Sequence, residues 1–127
     1  MSKWSIRPME EEAAVCVTTD GIMDAPGINA MAADMLAAGQ RLGFDKYLLD
    51  HRRMQPDVST AAIYQMPKRL EAVGLTRRLM IALVYDPQAT RREDFEFFET
   101  VALNQGFTVK LFTDREEALG WLRRGLD

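Results

Sequence analysis

The chain has one cysteine and one histidine in 127 residues, and that scarcity removes several kinds of chemistry at once. Cys16 alone forms no intramolecular disulfide, and neither it nor His51 has the companions of a Cys/His metal site. A free cysteine inside an apolar run suits a reducing compartment, so a cytoplasmic chain is expected. Glycine is sparse and mostly set singly, and neither a phosphate-binding loop nor a dinucleotide fingerprint is found. Long apolar runs are missing too. The longest strongly apolar stretch, residues 79–85, is far too short to span a bilayer, and residues 1–7 lack the apolar segment of a secretory leader. A basic excess is also absent. The formal net charge of -3 argues against binding nucleic acid through a general positive field.

What remains is the composition of a globular protein, 47% hydrophobic and 28% charged, in a length that buries one core without staples. A single domain over residues 1–127 is expected. Residues 4–8 read as a first strand, placed at an edge because Pro8 donates nothing to a ladder. An acidic turn over residues 9–12 leads to residues 13–19. There Ala13, Val15 and Val17 alternate with Cys16 and Thr18, the period of a strand, and the short link makes the pair a hairpin. Asp20-Gly21 reads as the end of that strand.

Asp24 is placed to cap a helix with Pro26 in its first turn. Ile28, Met31, Ala32, Met35, Leu36 and Leu42 share its inner face. Gly39 falls on that face and admits a close neighbour, and Gly43 ends the helix. Residues 47–50 form a short buried strand. Residues 51–58 are polar, basic and contain Pro56, which predicts a loop. Ser59 caps a helix running to residue 73, with a kink at Pro67. Residues 79–85 are apolar throughout, as in a strand buried on both faces of a parallel sheet.

Thr90-x-x-Glu93 and Thr113-x-x-Glu116 both match a capping box. The first predicts a helix burying Phe95, Phe98, Val101 and Ala102. The second predicts a last helix carrying Ala118, Leu119, Trp121 and Leu122. A final strand covers residues 107–112. The order β-β-α-β-α-β-α-β-α predicts an α/β fold: a mixed, mostly parallel five-stranded sheet with four helices.

Several words of the chain carry a family likeness. These are Asp94-Phe95-Glu96-Phe97-Phe98-Glu99-Thr100-Val101-Ala102, Asn104-Gln105-Gly106-Phe107, Val109 to Phe112, Glu117-Ala118-Leu119-Gly120-Trp121-Leu122, and Val58 to Tyr64 with Pro67 after it. With the strand order, they make the chain resemble the STAS domains over nearly its whole length. These include bacterial anti-sigma-factor antagonists and the cytoplasmic tails of sulfate transporters. The nearest likeness is to small stand-alone bacterial members, whose fold is also compared with lipid-transfer domains. The resemblance implies a non-catalytic regulatory domain, with a protein partner of the kinase or anti-sigma-factor type. It also implies phosphorylation of a serine at the start of the helix after the third strand. In Asp57-Val58-Ser59-Thr60-Ala61, Ser59 and then Thr60 occupy that place. The family's glycine is absent and its aspartate is displaced by one residue. The competing role for Ser59 is an ordinary helix cap, worth about 1 kcal/mol.

A second candidate site is a basic rim. His51, Arg52 and Arg53 follow one strand, and Arg91 and Arg92 follow another, with Arg115 after the last. All fall at the carboxyl edge of the sheet, where open α/β folds bind ligands. Such a rim suits an anionic or lipid-like small molecule. Alternatively, its arginines pair with Asp50, Asp57, Asp86 and Asp114 as ordinary surface charges. His51 is expected to be a solvated loop residue. A cavity between the two central helices is disfavoured because it would cost a large share of so small a core. No base and nucleophile fall together, so no enzyme, metal or cofactor is expected. A homodimer is compatible with the sequence.

Overall fold

A computed structural model of the chain describes residues 3–125, so residues 1 and 2 of the stretch read above as lacking a leader's apolar segment lie outside it. β1 (Trp4–Met9) and β2 (Ala14–Asp24) form the expected hairpin, followed by α1 (Ala25–Leu42) and β3 (Lys46–Asp57). Then come α2 (Thr60–Glu71), β4 (Met80–Val84), α3 (Arg92–Asn104), β5 (Thr108–Phe112) and α4 (Arg115–Arg124). The strands lie side by side in sequence order; β1 is antiparallel to β2, and every later pairing is parallel. The edge place predicted for the Pro8 strand is where it sits.

Period-2 alternation divides the core between the two faces of the sheet. Val15, Val17, Tyr47, Leu49, Ile81 and Leu83 pack with α1, α2 and α3. Ala14, Cys16, Leu48, Ala82 and Val84 point the other way and are covered by Ala118, Leu119 and Leu122 of α4. β4 is buried along its whole length, because helices cover both of its faces. No described helix is long and apolar enough to cross a membrane.

Local chemistry sets the helix boundaries. The Asp24 carboxylate accepts from Gly27 N at 2.9 Å, and Gly43, at φ 73°, closes α1 in the left-handed conformation. Ser59 caps α2 through Ala62 N at 3.1 Å. That helix ends at Glu71, short of residue 73, and carries the buried Pro67 inside it.

Neither predicted capping box forms. Before α3, Asp86 organises a turn in which its carboxylate accepts from Gln88 N and its carbonyl from Ala89 N. Ala89 O then accepts from Arg92 N, so Arg91 stands at the cap without a side-chain bond and Thr90 is bypassed. At α4 the carboxylate of Asp114 accepts from Glu116 N at 2.9 Å and displaces Thr113 by one position.

The larger corrections concern the two central strands. Asp20-Gly21 does not end β2, and residues 51–57 are not a loop. Both strands run on together past the point where β4 stops, pairing Asp20 with Arg53 and on to Asp24 with Asp57. Between the pairs Thr18–Asp50 and Asp20–Arg53 the register slips. His51 and Arg52 there oppose the single residue Thr19, which is a β-bulge.

Gly39 shows how tightly α1 is seated. A Cβ at this position would fall 1.9 Å from the Tyr47 hydroxyl oxygen. Glycine-to-alanine changes inside helices normally gain stability, by roughly 0.5–1 kcal/mol. Here the sign reverses. Gly39→Ala is expected to destabilise by about 1–3 kcal/mol, as overpacking does, and Tyr47→Phe in the same chain should restore part of the loss. Urea denaturation of the single and double variants checks both.

Candidate functional site

The carboxyl ends of the parallel strands carry the features of interest. Past Asp50, β3 has no β4 neighbour, and its free side forms one wall of a groove of about 590 Å³. Arg52, Arg53, Gln55 and Asp57 line this wall, and Asp86, Gln88, Thr90 and Arg91 line the facing turn. The structure thus brings three of the six predicted rim residues, Arg52, Arg53 and Arg91, to one groove, which Arg115 does not line. Arg92 is the first residue of α3 and does not line it.

The arginines have partners. Arg52 makes a fork with Asp50, Nε to Oδ1 at 2.9 Å and Nη2 to Oδ2 at 2.7 Å. That guanidinium holds the Asp50 carboxyl below the ordinary aspartate range. Arg53 Nη2 lies 3.2 Å from Asp20 Oδ2, in a pair open to solvent and worth little. Arg91 Nη2 lies 2.6 Å from Asp94 Oδ2 and donates to the carbonyl of Val58 at 3.0 Å. The groove is a polar surface of mixed charge. Just beyond its wall, Ser59 and Thr60 are exposed at the start of α2.

His51 is the main correction among the site residues. It is not a solvated loop histidine on the rim; it is 4% exposed. Odd-numbered residues of β3 up to the bulge, Tyr47, Leu49 and His51, point toward α1 and α2. After the bulge the inward set becomes Met54, Pro56 and Val58. His51 Nδ1 lies 2.7 Å from the hydroxyl of Thr19, itself buried, and the hydroxyl also reaches Asp50 O at 3.3 Å. The ring leans on Phe95 at 6.1 Å between centroids. Burial pushes its pKa down from 6.5 to about 4, so it is neutral at pH 7.

A second feature corrects an expectation: the cavity disfavoured for so small a core is present. Between α1, α2 and the sheet is a cavity of about 60 Å³, lined by apolar side chains and His51. A void of that size costs on the order of 1–2 kcal/mol, a tolerable share even for a small core. The methionines were the available signal: Met31, Met35, Met54 and Met66 all line it.

No protein-family model and no curated protein matches the chain. Solved structures do. An uncharacterised protein of the DUF3478 family with a SpoIIAA-like fold, from Shewanella loihica PV-4, is 17% identical. Its alignment covers 94% of this chain and 91% of that one, with a TM-score of 0.60. The protein TM1081 is 16% identical over 98% of this chain and 90% of its own, with a TM-score of 0.57. The anti-sigma factor antagonist SpoIIAA in its unphosphorylated form aligns at 18% identity over 92% and 94%, with a TM-score of 0.47. The likeness to the first of these structures gives the chain a SpoIIAA-like fold.

The buried histidine gives stability a pH dependence of definite sign. Its folded pKa, about 4, lies below the ordinary 6.5, so the unfolded chain takes up the proton first. The contribution is present above pH 6.5 and is lost as the pH falls toward 4. Roughly 2 kcal/mol of stability should be gone by pH 5, before most carboxylates titrate. Urea denaturation at pH 7 and pH 5 measures it, and a folded His51→Phe variant should lose the difference.

Proposed function

We propose that this chain is a non-catalytic regulatory domain, a single STAS-like unit over residues 1–127. It docks a protein partner on the exposed face of α2, with Ser59 as the position where phosphorylation switches docking. The observation that carries this reading is the placement of an exposed serine at a helix start beside an exposed aromatic anchor. Tyr64 is 62% exposed, and Thr60, Tyr64 and Lys68 follow at helical spacing on one face. Aromatic residues of this kind are favoured anchors in interfaces. A phosphate on Ser59 would meet the free N–H groups of the first turn and the helix dipole. Arg91, held on the neighbouring Val58 carbonyl, places a guanidinium close by.

The non-catalytic part of the reading is supported by the fate of the reactive groups. The one histidine is buried, and Cys16 is buried in mid-strand. Among the described residues, no group of three or more His, Cys, Asp and Glu is placed to hold a metal. A kinase that modifies Ser59, with Thr60 as the adjacent acceptor, and an anti-sigma-like factor are the partner classes the reading implies, in a cytoplasmic setting. Ile22, 55% exposed beside the groove, offers a second apolar contact for a partner or a second copy.

The test uses the full chain as bait. Ser59→Asp keeps a capping oxygen, so its stability should stay near wild type, whereas Ser59→Ala should lose about 1 kcal/mol. A protein partner retained by wild type and Ser59→Ala, lost on Ser59→Asp, and lost again on Tyr64→Ala is the expected result. Equal retention by all of these baits would contradict the proposal.

A second reading, an anionic small molecule held in the groove, is supported by Arg52, Arg53 and Arg91 on its walls. It requires those cations to leave their carboxylates. It predicts thermal stabilisation by a nucleotide or phosphate ester, on the order of 1.4 kcal/mol at tenfold its dissociation constant. No shift across such a panel would remove it.

A further inference from the structure

We propose that the unpaired length of β3 is a docking edge for an extended segment of a protein partner, which joins the sheet as a strand in the line that β4 vacates. The edge is separate from the outer face of α2, and the proposal does not rest on the Ser59 reading.

The register decides which backbone groups this edge presents. Met80 N donates to Asp45 O at 3.0 Å, so Asp45 and, by alternation, Tyr47 and Leu49 turn their N–H and C=O toward β4. In an L-chain of fixed direction, the face taken by a side chain fixes the side to which that residue's backbone groups turn. Tyr47 and Leu49 point inward, and past the bulge the inward residues are Met54, Pro56 and Val58. Those three therefore turn their backbone groups to the β4 side, although β4 has ended at Val84. The Val58 carbonyl agrees, since Arg91 reaches it from the facing turn at 3.0 Å. Arg52 N, in the bulge, is held by Asp50 Oδ1 at 3.3 Å. Met54 N–H, Met54 C=O and Pro56 C=O are left without a partner among the described residues. Pro56 sits where its missing N–H breaks no bond to β2.

One donor and two acceptors along the wall of a groove of about 590 Å³ match the main chain of another strand. Unpaired strand edges recruit strands unless they are blunted. This one is faced by the turn that carries Asp86 and Arg91, so it admits a single segment and does not invite open-ended pairing. Residues 53–57 span roughly 17 Å, which sets the length of the occupant. Their outer face sets its charges. Arg53, Gln55 and Asp57 point outward, so the edge runs from positive to negative. The Arg53–Asp20 pair is open to solvent and does little to hold the guanidinium back. The occupant carries an acid opposite Arg53, a neutral residue opposite Gln55 and a base opposite Asp57. The residues between them lie beside Met54 and Pro56 and are apolar and β-branched, as strands favour. A free anion would meet Arg53 and leave Asp57 and the three backbone groups unanswered.

The experiment is NMR titration of the ¹⁵N-labelled full chain at pH 7 with two blocked peptides, acetyl-Glu-Val-Thr-Val-Lys-amide and acetyl-Lys-Val-Thr-Val-Glu-amide. The first has its charges in order for a strand parallel to β3, the second for an antiparallel one. One of them should shift the Met54 amide saturably and slow its hydrogen exchange about tenfold at saturation. The other should bind about fivefold more weakly, because its charges meet like charges. In the peptide that binds, N-methylation should remove the bond to Met54 C=O and weaken binding about tenfold. The residue to methylate is Thr in the first peptide and the Val before Glu in the second. No saturable shift at Met54 with either peptide, equal binding of the two, or an affinity unchanged by that methylation would overturn the proposal. Inorganic phosphate that reproduces the Met54 shift would also overturn it and assign the groove to a free anion. All of these arms use the wild-type chain, so none depends on a variant that folds.

Discussion

Thr19 and His51 meet across the two central strands, and much of the carboxyl end of the molecule depends on that contact. A histidine buried between helices and sheet is costly unless it is neutral and hydrogen-bonded. The Thr19 hydroxyl, 2.7 Å from Nδ1, provides the bond, and the bulge turns both side chains to the same face. Once His51 is held inward, Arg52 and Arg53 are both left outside, and Met54, Pro56 and Val58 are brought in behind it. The continued strand then forms a groove wall on its free side and a cavity wall on its inner face. The groove wall and the cavity wall therefore arise from one local slip of register.

The electrostatics of this end are more subdued than a count of arginines suggests. Arg52 is held in a two-point bond by Asp50, Arg53 faces Asp20, and Arg91 lies between Asp94 and the Val58 carbonyl. Such pairing leaves a surface of alternating charge, better suited to registering a protein partner than to concentrating free anions. Arg91 also links the start of α3 to the start of α2, so a charge placed on Ser59 would be felt by both helices. Glu12 and Arg123 join the opposite end, where a 2.6 Å ion pair ties the hairpin turn to α4.

Most of the architecture was legible because local and global signals agree. The continuous apolar run of β4, the alternation in β2, and the caps at Asp24 and Ser59 each specify one answer. The overhang was not legible. Asp20-Gly21 has the composition of a turn, Pro56 donates no backbone bond, and the adjacent Arg52 and Arg53 break the period of two. Only the partner strand shows that a bulge absorbs the irregularity. His51 was misplaced for the same reason. At α3 and α4, two residues competed for each cap, and neighbouring turn geometry decided between them. The cavity had a faint trace in the helical methionines, but free volume depends on how side chains from several elements meet.

The most direct test is the pKa of His51, followed through its ring proton by NMR from pH 8 to the acid limit of the folded state. A neutral ring that begins to titrate only near its folded value of about 4 agrees with a strand that carries it inward past Asp50. An ordinary titration near 6.5 would contradict that arrangement. It would return residues 51–57 to a solvated loop and remove both the groove wall and the polar end of the cavity.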